Sequence, residues 1–192
     1  MSTYSPSLRI ELITTGDQAG VWGNTTNTNL GTLIESAIAG YTSVSITSAN
    51  QALTALNGAA DQSRNMVIAL TTTTGAAFNV YAPPAEKTYV IKNASAYPAT
   101  LYNSTVLGNT TAAGAGVVIP AGQTASVWSD GTNCAFQNTY IEGTTGSLTT
   151  ANWSVLQIGD ALYFRHNGIN KMKLDPDGNA TVAGDVTAFG TL

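Results

Sequence analysis

Ionic side chains are almost missing from this sequence. Only 9% of its 192 residues are Asp, Glu, Lys or Arg, against about a quarter in ordinary globular chains. None falls between Asn93 and Ser129. A chain so poor in charge is a membrane span, a disordered polar tract, or a fold whose solvent faces are built from hydroxyls and amides. The first fails on length, because its apolar runs last a few residues and a bilayer needs ~20. The second fails on pattern. Thr alone makes up about 15% of the chain, yet Val, Ile, Leu, Tyr, Phe and Trp recur through the polar background in short alternating runs. Thr and Val suit a pleated surface, and the apolar residues supply a core that disordered tracts lack. The sequence therefore predicts ordered, mainly β structure.

The net charge of −4 and a pI near 4.6 come without any basic stripe, so nucleic acid is excluded as a partner. Met1–Gln18 has no cationic segment followed by an apolar one, so no signal peptide is expected. Cys134 is the single cysteine, which rules out an intrachain disulfide. It has no His or Cys companion at metal spacing, so it reads as a buried structural thiol. No metal or cofactor is expected.

Along the chain, Leu8, Ile10 and Leu12 alternate as in a short extended arm. Glycines 16, 20 and 23 mark a loop that offers Trp22 as a docking knob. Thr26–Ala39 is the one helix predicted, capped by Asn27 or Thr28 and stopped by Gly40, with Leu30, Leu33 and Ile34 on its apolar stripe. At roughly three turns it is marginal alone, so the stripe must dock. Tyr41–Tyr140 then carries eight candidate strands: 43–47, 65–72, 78–81, 88–93, 100–106, 117–119, 124–128 and 134–138. Turn residues such as Pro83-Pro84 and Asp130-Gly131 separate most of them, which predicts an antiparallel, jelly-roll-like β-sandwich. After a Gly/Thr-rich linker at Gly143–Asn152, Trp153–Ala183 reads as a four-stranded meander, turning at Gly159-Asp160, Asn167-Gly168 and Asp175-Pro176-Asp177-Gly178. A sheet this small buries too little to stand alone. Trp153, Leu156, Ile158, Met172 and Leu174 are its candidate subunit contacts. The expected domains are thus 1–40, 41–140 and 141–192.

Three stretches carry a family resemblance. Ile10-Glu11-Leu12, then Thr15-Gly16-Asp17-Gln18-Ala19-Gly20-Val21-Trp22-Gly23 and Thr26-Asn27-Thr28-Asn29-Leu30, resembles the N-terminal segment of phage tail-fibre and related virion proteins. Lys87–Asn93, Val118–Thr124 and Val127–Asn133 are similar to a β-module that recurs in phage fibres. Gly178–Gly190 looks like the segment that precedes an endosialidase-type intramolecular chaperone, which in that family trimerises the fibre and cuts itself off. The resemblance implies a non-enzymatic homotrimeric fibre subunit, made in the bacterial cytoplasm and held in the virion by other virion proteins. It also implies that Leu192 lies at or near a processed end. Exposed rings on a neutral surface add a host surface glycan as a partner. The alternatives are a head-decoration or head-fibre protein and a carbohydrate-binding or depolymerising spike.

Chemistry has few candidates. His166 is the one histidine; with Asp160 and Ser154 it suggests a triad, but no nucleophile elbow surrounds Ser154. Glu86, Asp130 and Glu142 are carboxylates of the kind that cleave polysaccharide. Asp175-x-Asp177-x-Asn179 opens like a calcium loop, yet Ala180 and Val186 stand where such a loop needs Gly and Glu. No catalytic residue is expected.

Overall fold

A computed structural model describes residues 3–138, 147–149 and 152–185. They divide between two compact units, Met1–Asn138 and Thr139–Leu192. The first unit takes in residues 1–40 together with the strands that follow them. The fold is mainly β, with one helical segment and several sheets.

The N-terminal arm folds back on itself instead of extending. Strand β1 (Thr3–Tyr4) pairs antiparallel with β2 (Glu11–Leu12); Arg9 interrupts the apolar alternation with a φ of 51°. The helix begins earlier than predicted. Helix α1 (Trp22–Thr28) runs through a π-helical stretch (Asn29–Ile34) into α2 (Glu35–Ala39), so Asn27 and Thr28 are interior and Trp22 is helical rather than in a loop. Gln18 does the capping: its carbonyl accepts the Val21 and Trp22 N–H groups, each at 2.9 Å, and its side-chain oxygen takes the Thr25 hydroxyl. The neighbouring Asn29 clamps the arm, donating to the Glu11 carbonyl at 2.7 Å and accepting its N–H at 3.2 Å. Gly40 ends the helix as expected, for a steric reason. A Cβ there would lie 2.4 Å from the Ser36 carbonyl oxygen and 2.6 Å from Asn65 Oδ1.

The body strands are β3 (Tyr41–Ile46), β4 (Asn50–Ala52), β5 (Val67–Thr72), β6 (Phe78–Ala82), β7 (Glu86–Asn93), β8 (Ala99–Asn103), β9 (Val117–Ile119), β10 (Thr124–Asp130) and β11 (Cys134–Phe136). Each predicted strand has its counterpart, and β4 is an addition. They form two sheets, in the order β11-β10-β7-β5-β3 and β4-β6-β8-β9, which share one apolar core. The expectation of antiparallel pairing throughout is corrected. The pairs β3–β5, β5–β7, β4–β6 and β6–β8 are parallel; antiparallel pairing in the body is confined to β8–β9, β7–β10 and β10–β11. The chain coils, each turn giving one strand to each sheet (β3-β4, β5-β6, β7-β8), before β9–β11 extend both sheets beyond β7 and β8. Pro83-Pro84, read as turn residues between strands, is an arch that carries the chain from β6 in one sheet to β7 in the other.

Coiling stacks like residues. Val44 lies beside Leu70, and Ile68 beside Ile91, in the parallel registers. The stacked interior ends at Asn93, which is fully buried and joins the two sheets. Its amide donates to the Tyr97 and Ile119 carbonyls at 2.8 and 2.9 Å, and its oxygen accepts the Ser95 hydroxyl at 2.7 Å, so the burial leaves no unmet polar group. On the outer face of the other sheet Asn79 donates to Asn50 at 2.8 Å, Tyr81 donates to the same oxygen at 3.3 Å, and Tyr81 stacks on Tyr102 with centroids 5.6 Å apart. Amides and hydroxyls solvate these faces, which is why the chain needs so few charges.

The main ionic feature of the body is internal. Arg64 and Asp61 form a buried pair at 2.9 Å, and among the described residues it is the one ion pair. Nearby, Lys87 donates to the Asn65 carbonyl at 3.1 Å and lies 4.3 Å from the Tyr89 ring centroid. Burial brings the Lys87 ammonium down to about 8, despite the attraction of Asp61. Its folded value is below its unfolded one, so between the two the unfolded chain binds more protons and stability rises with pH. Urea unfolding is expected to show a gain on the order of 2 kcal/mol from pH 8 to 10, absent in Lys87→Met; an equal gain in both proteins would refute the assignment.

Candidate assembly surfaces

The second unit is a single five-stranded sheet, β12 (Ser147–Thr149), β13 (Trp153–Ile158), β14 (Ala161–His166), β15 (Ile169–Leu174) and β16 (Ala180–Val182), in chain order and antiparallel throughout. Four of these strands are those predicted. β12 lies in the stretch read as a linker, most of which falls outside the described residues, as does the chain beyond Asp185. The turns use the expected chemistry: Asn167 and Gly168 take φ of 47° and 78°, the pair of positive values a type I′ hairpin turn needs. Asp175 locks the last turn by accepting the Asn179 N–H at 2.8 Å and its amide at 3.2 Å. These bonds hold its carboxyl below the usual carboxylate range, the Asn179 backbone N–H contributing most, and explain the calcium-like spacing as turn geometry.

Register sorts the candidate contacts. Val155 pairs with Phe164 and Phe164 with Met172, which pairs with Val182; Leu162 pairs with Leu174, and Trp153 with His166. Side chains paired in this way share a face, so Trp153, Met172 and Leu174 lie together. Leu156 and Ile158 do not join them, because they pair with Tyr163 and Ala161 on the opposite face. Val155, Leu162, Phe164 and Val182 complete the apolar face and were missed. Their signal was the i, i+2 step from Trp153 and between Leu162 and Phe164, obscured by the unbroken apolar run Val155-Leu156. Among the described side chains of this unit Ala161 alone is buried; Trp153 is 51% exposed, and Phe164 and Met172 are half-buried. Among the described residues of this unit, a single-layer sheet has thus gathered an apolar face that stays partly exposed.

The helical segment shows a second apolar surface. Of its predicted stripe, Leu33 is buried and Ile34 half-buried, whereas Leu30 is 57%, Trp22 59% and Ile38 71% exposed.

The catalytic candidates do not converge. Trp153 and His166 share a face, with rings 4.8 Å apart, whereas Ser154 pairs with Arg165 on the other face. Asp160 turns at the far end of β14, about 17 Å away along the strand. Glu86 does stand across from Asp130 in the β7–β10 ladder, but Asp130 locks its turn by accepting the Asn133 and Thr132 N–H groups at 2.6 and 2.8 Å. Those bonds depress its acidity range, Asn133 first, opposite to what a general acid requires. Glu142 lies outside the described residues. Cys134 is buried, and burial pushes its thiol up to about 12, so it is chemically quiet.

Among the described residues no group of His, Cys, Asp and Glu is placed to hold a metal, and no helix is long and apolar enough to cross a membrane. No known family model, curated protein sequence or solved structure matches this chain.

Proposed function

We propose that the chain is a structural subunit of a phage particle, of the tail-fibre type, that assembles as a homotrimer through the apolar face of its C-terminal meander. The observation that carries this reading is the gathering of Trp153, Val155, Leu162, Phe164, Met172, Leu174 and Val182 on one face of a single-layer sheet. Covering a half-exposed side chain of this kind contributes about 1 kcal/mol. Trp153, Leu174 and Val182 are exposed and the other four half-buried, so covering the face contributes several kcal/mol per copy, on the order of the cost of bringing copies together. Identical copies are the natural cover, since a threefold axis turns the same apolar face of every copy toward one shared centre. The number three comes from the fibre resemblance, with which a neutral, hydroxyl-solvated body is consistent.

In this reading Trp22, Leu30 and Ile38 contact a neighbouring virion protein, and the work of the subunit is mechanical and adhesive rather than catalytic. Native mass measurement at micromolar concentration tests it: three chains per particle are expected, and a monodisperse single chain overturns the proposal. Antibody labelling of intact virions then separates a tail fibre from a head fibre.

A further inference from the structure

The meander's other face carries cations beside Leu156, Ile158 and Tyr163. The chain holds seven Lys and Arg residues in all, and three of them, Arg165, Lys171 and Lys173, stand on this one small surface. Tyr163 pairs with Lys173, and Lys173 with Thr181, across β14, β15 and β16. Lys171, two residues before Lys173, is the extra residue at the bulge opposite Phe164/Arg165 and lines the same groove. Tyr163, Asn170, Lys171, Lys173 and Thr181, with Met172, Val182 and Ala183, line a shallow open groove of about 240 Å³; Arg165 stands outside it, donating to the Gly168 carbonyl. Among the described residues no acid shares the face. The described acids of this unit, Asp160, Asp175, Asp177 and Asp185, lie in turns and loops between or beyond the strands, and among the described residues no ion pair involves the three cations. Asp175 is within electrostatic reach of Lys173, but its oxygens are engaged by Asn179.

Solubility does not explain the lysines. On the body the same chain solvates its outer faces with Thr, Ser and Asn, and Lys92 is the one cation there. Cations on this sheet are a departure from the chain's own practice, and an acidic protein that concentrates them has made a local site for anions. We infer that this groove binds an acidic glycan. Lys171 and Lys173 meet its carboxylates, Asn170 and Thr181 its hydroxyls, and the half-buried Tyr163 ring offers an apolar surface to a pyranose. The inference rests on the reading above in one respect: with the apolar face turned to other copies, this face is left to solvent, and several copies multiply a weak contact.

Binding of the full chain to an oligogalacturonate, a neutral dextran of equal length and duplex DNA tests the inference, with the native mass recorded in parallel. The oligogalacturonate is expected to bind and to weaken as salt is raised, with the dextran bound at least tenfold more weakly. Lys171→Gln/Lys173→Gln is expected to lose at least tenfold in affinity while keeping the wild-type mass. No uptake of the oligogalacturonate, equal affinity in the double variant, or DNA bound as tightly as the oligogalacturonate would each overturn it. A single-chain mass with intact glycan binding would sink the assembly reading and leave this one standing.

Discussion

Phe164→Asp is expected to convert the assembled protein to single chains. Phe164 is the centre of the apolar face, with Val155 on one side and Met172 on the other. A carboxylate there must be desolvated opposite copies of itself or must hold the faces apart. Either outcome costs about 4 kcal/mol per chain, a weakening of roughly a thousandfold in each contact. The native mass should fall to that of one chain, and hydrogen exchange in β13–β15 should become fast, while exchange in the body core around Leu70 and Leu101 stays as it was. Thr181→Asp is the control. It adds the same charge on the opposite face, beside Lys173, and should leave the mass unchanged. Assembly that survives Phe164→Asp would place the contact elsewhere, and the exposed stripe of Trp22, Leu30 and Ile38 would be the next surface to alter.

The strands were legible because Thr, Val and aromatic residues alternate between clear turn signals, and the meander was the clearest because Asn-Gly and Asp-Gly leave little choice of turn. Direction was not legible. Pro83-Pro84 looks the same whether the chain reverses within a sheet or arches to the next, and only the distant pairing of Tyr41 with Val67 and of Val67 with Val90 decides between them. β4 escaped because three residues are too few to show a period. The helix start was misplaced because Gln18, which caps from outside the helix at a φ of 59°, is not a residue type that advertises a cap. Asn29 was part of an Asn-rich run that suggested capping but holds the arm instead. At the assembly surface, the choice between Val155 and Leu156 is a register question. Since one residue of slip exchanges the two faces, only the pairing with Phe164 settles it. The cationic face was half visible: Lys171 and Lys173 alternate with Met172 and Leu174, but Arg165 joins them only through the β14–β15 ladder.

Arg64→Met is expected to cost the body 3–5 kcal/mol, the usual range when one member of a buried pair is removed, here about 3 to 5. Three consequences combine. Asp61 keeps its hydrogen bonds from the Leu56 and Arg64 N–H groups, at 2.9 and 2.8 Å, but loses its countercharge. The carbonyls of Leu56 and Ala59, which accept from the guanidinium at 2.9 and 3.0 Å, lose their donor, and the Leu8 carbonyl, also held by Arg64, is released. That last contact matters for the arm, which is also held by the Gly58 N–H on the Arg9 carbonyl, by Arg9 Nε on Asn57, and by Asn29 and Gln18 on Glu11. Exchange protection should therefore fall first in β1–β2 and in the loop before β5, ahead of the sheets. Arg64→Met combined with Asp61→Asn should lose less than the sum of the two single changes, because the stranded charge has gone. The Lys87 titration gives an independent check. Arg64 is one of the influences holding the Lys87 ammonium down, so its removal raises the folded value toward the unfolded one and shrinks the gain in stability between pH 8 and 10. A loss below about 1 kcal/mol, with the pH dependence unchanged, would show that Arg64 behaves as a solvent-screened surface charge and that the loop is held by its backbone bonds alone.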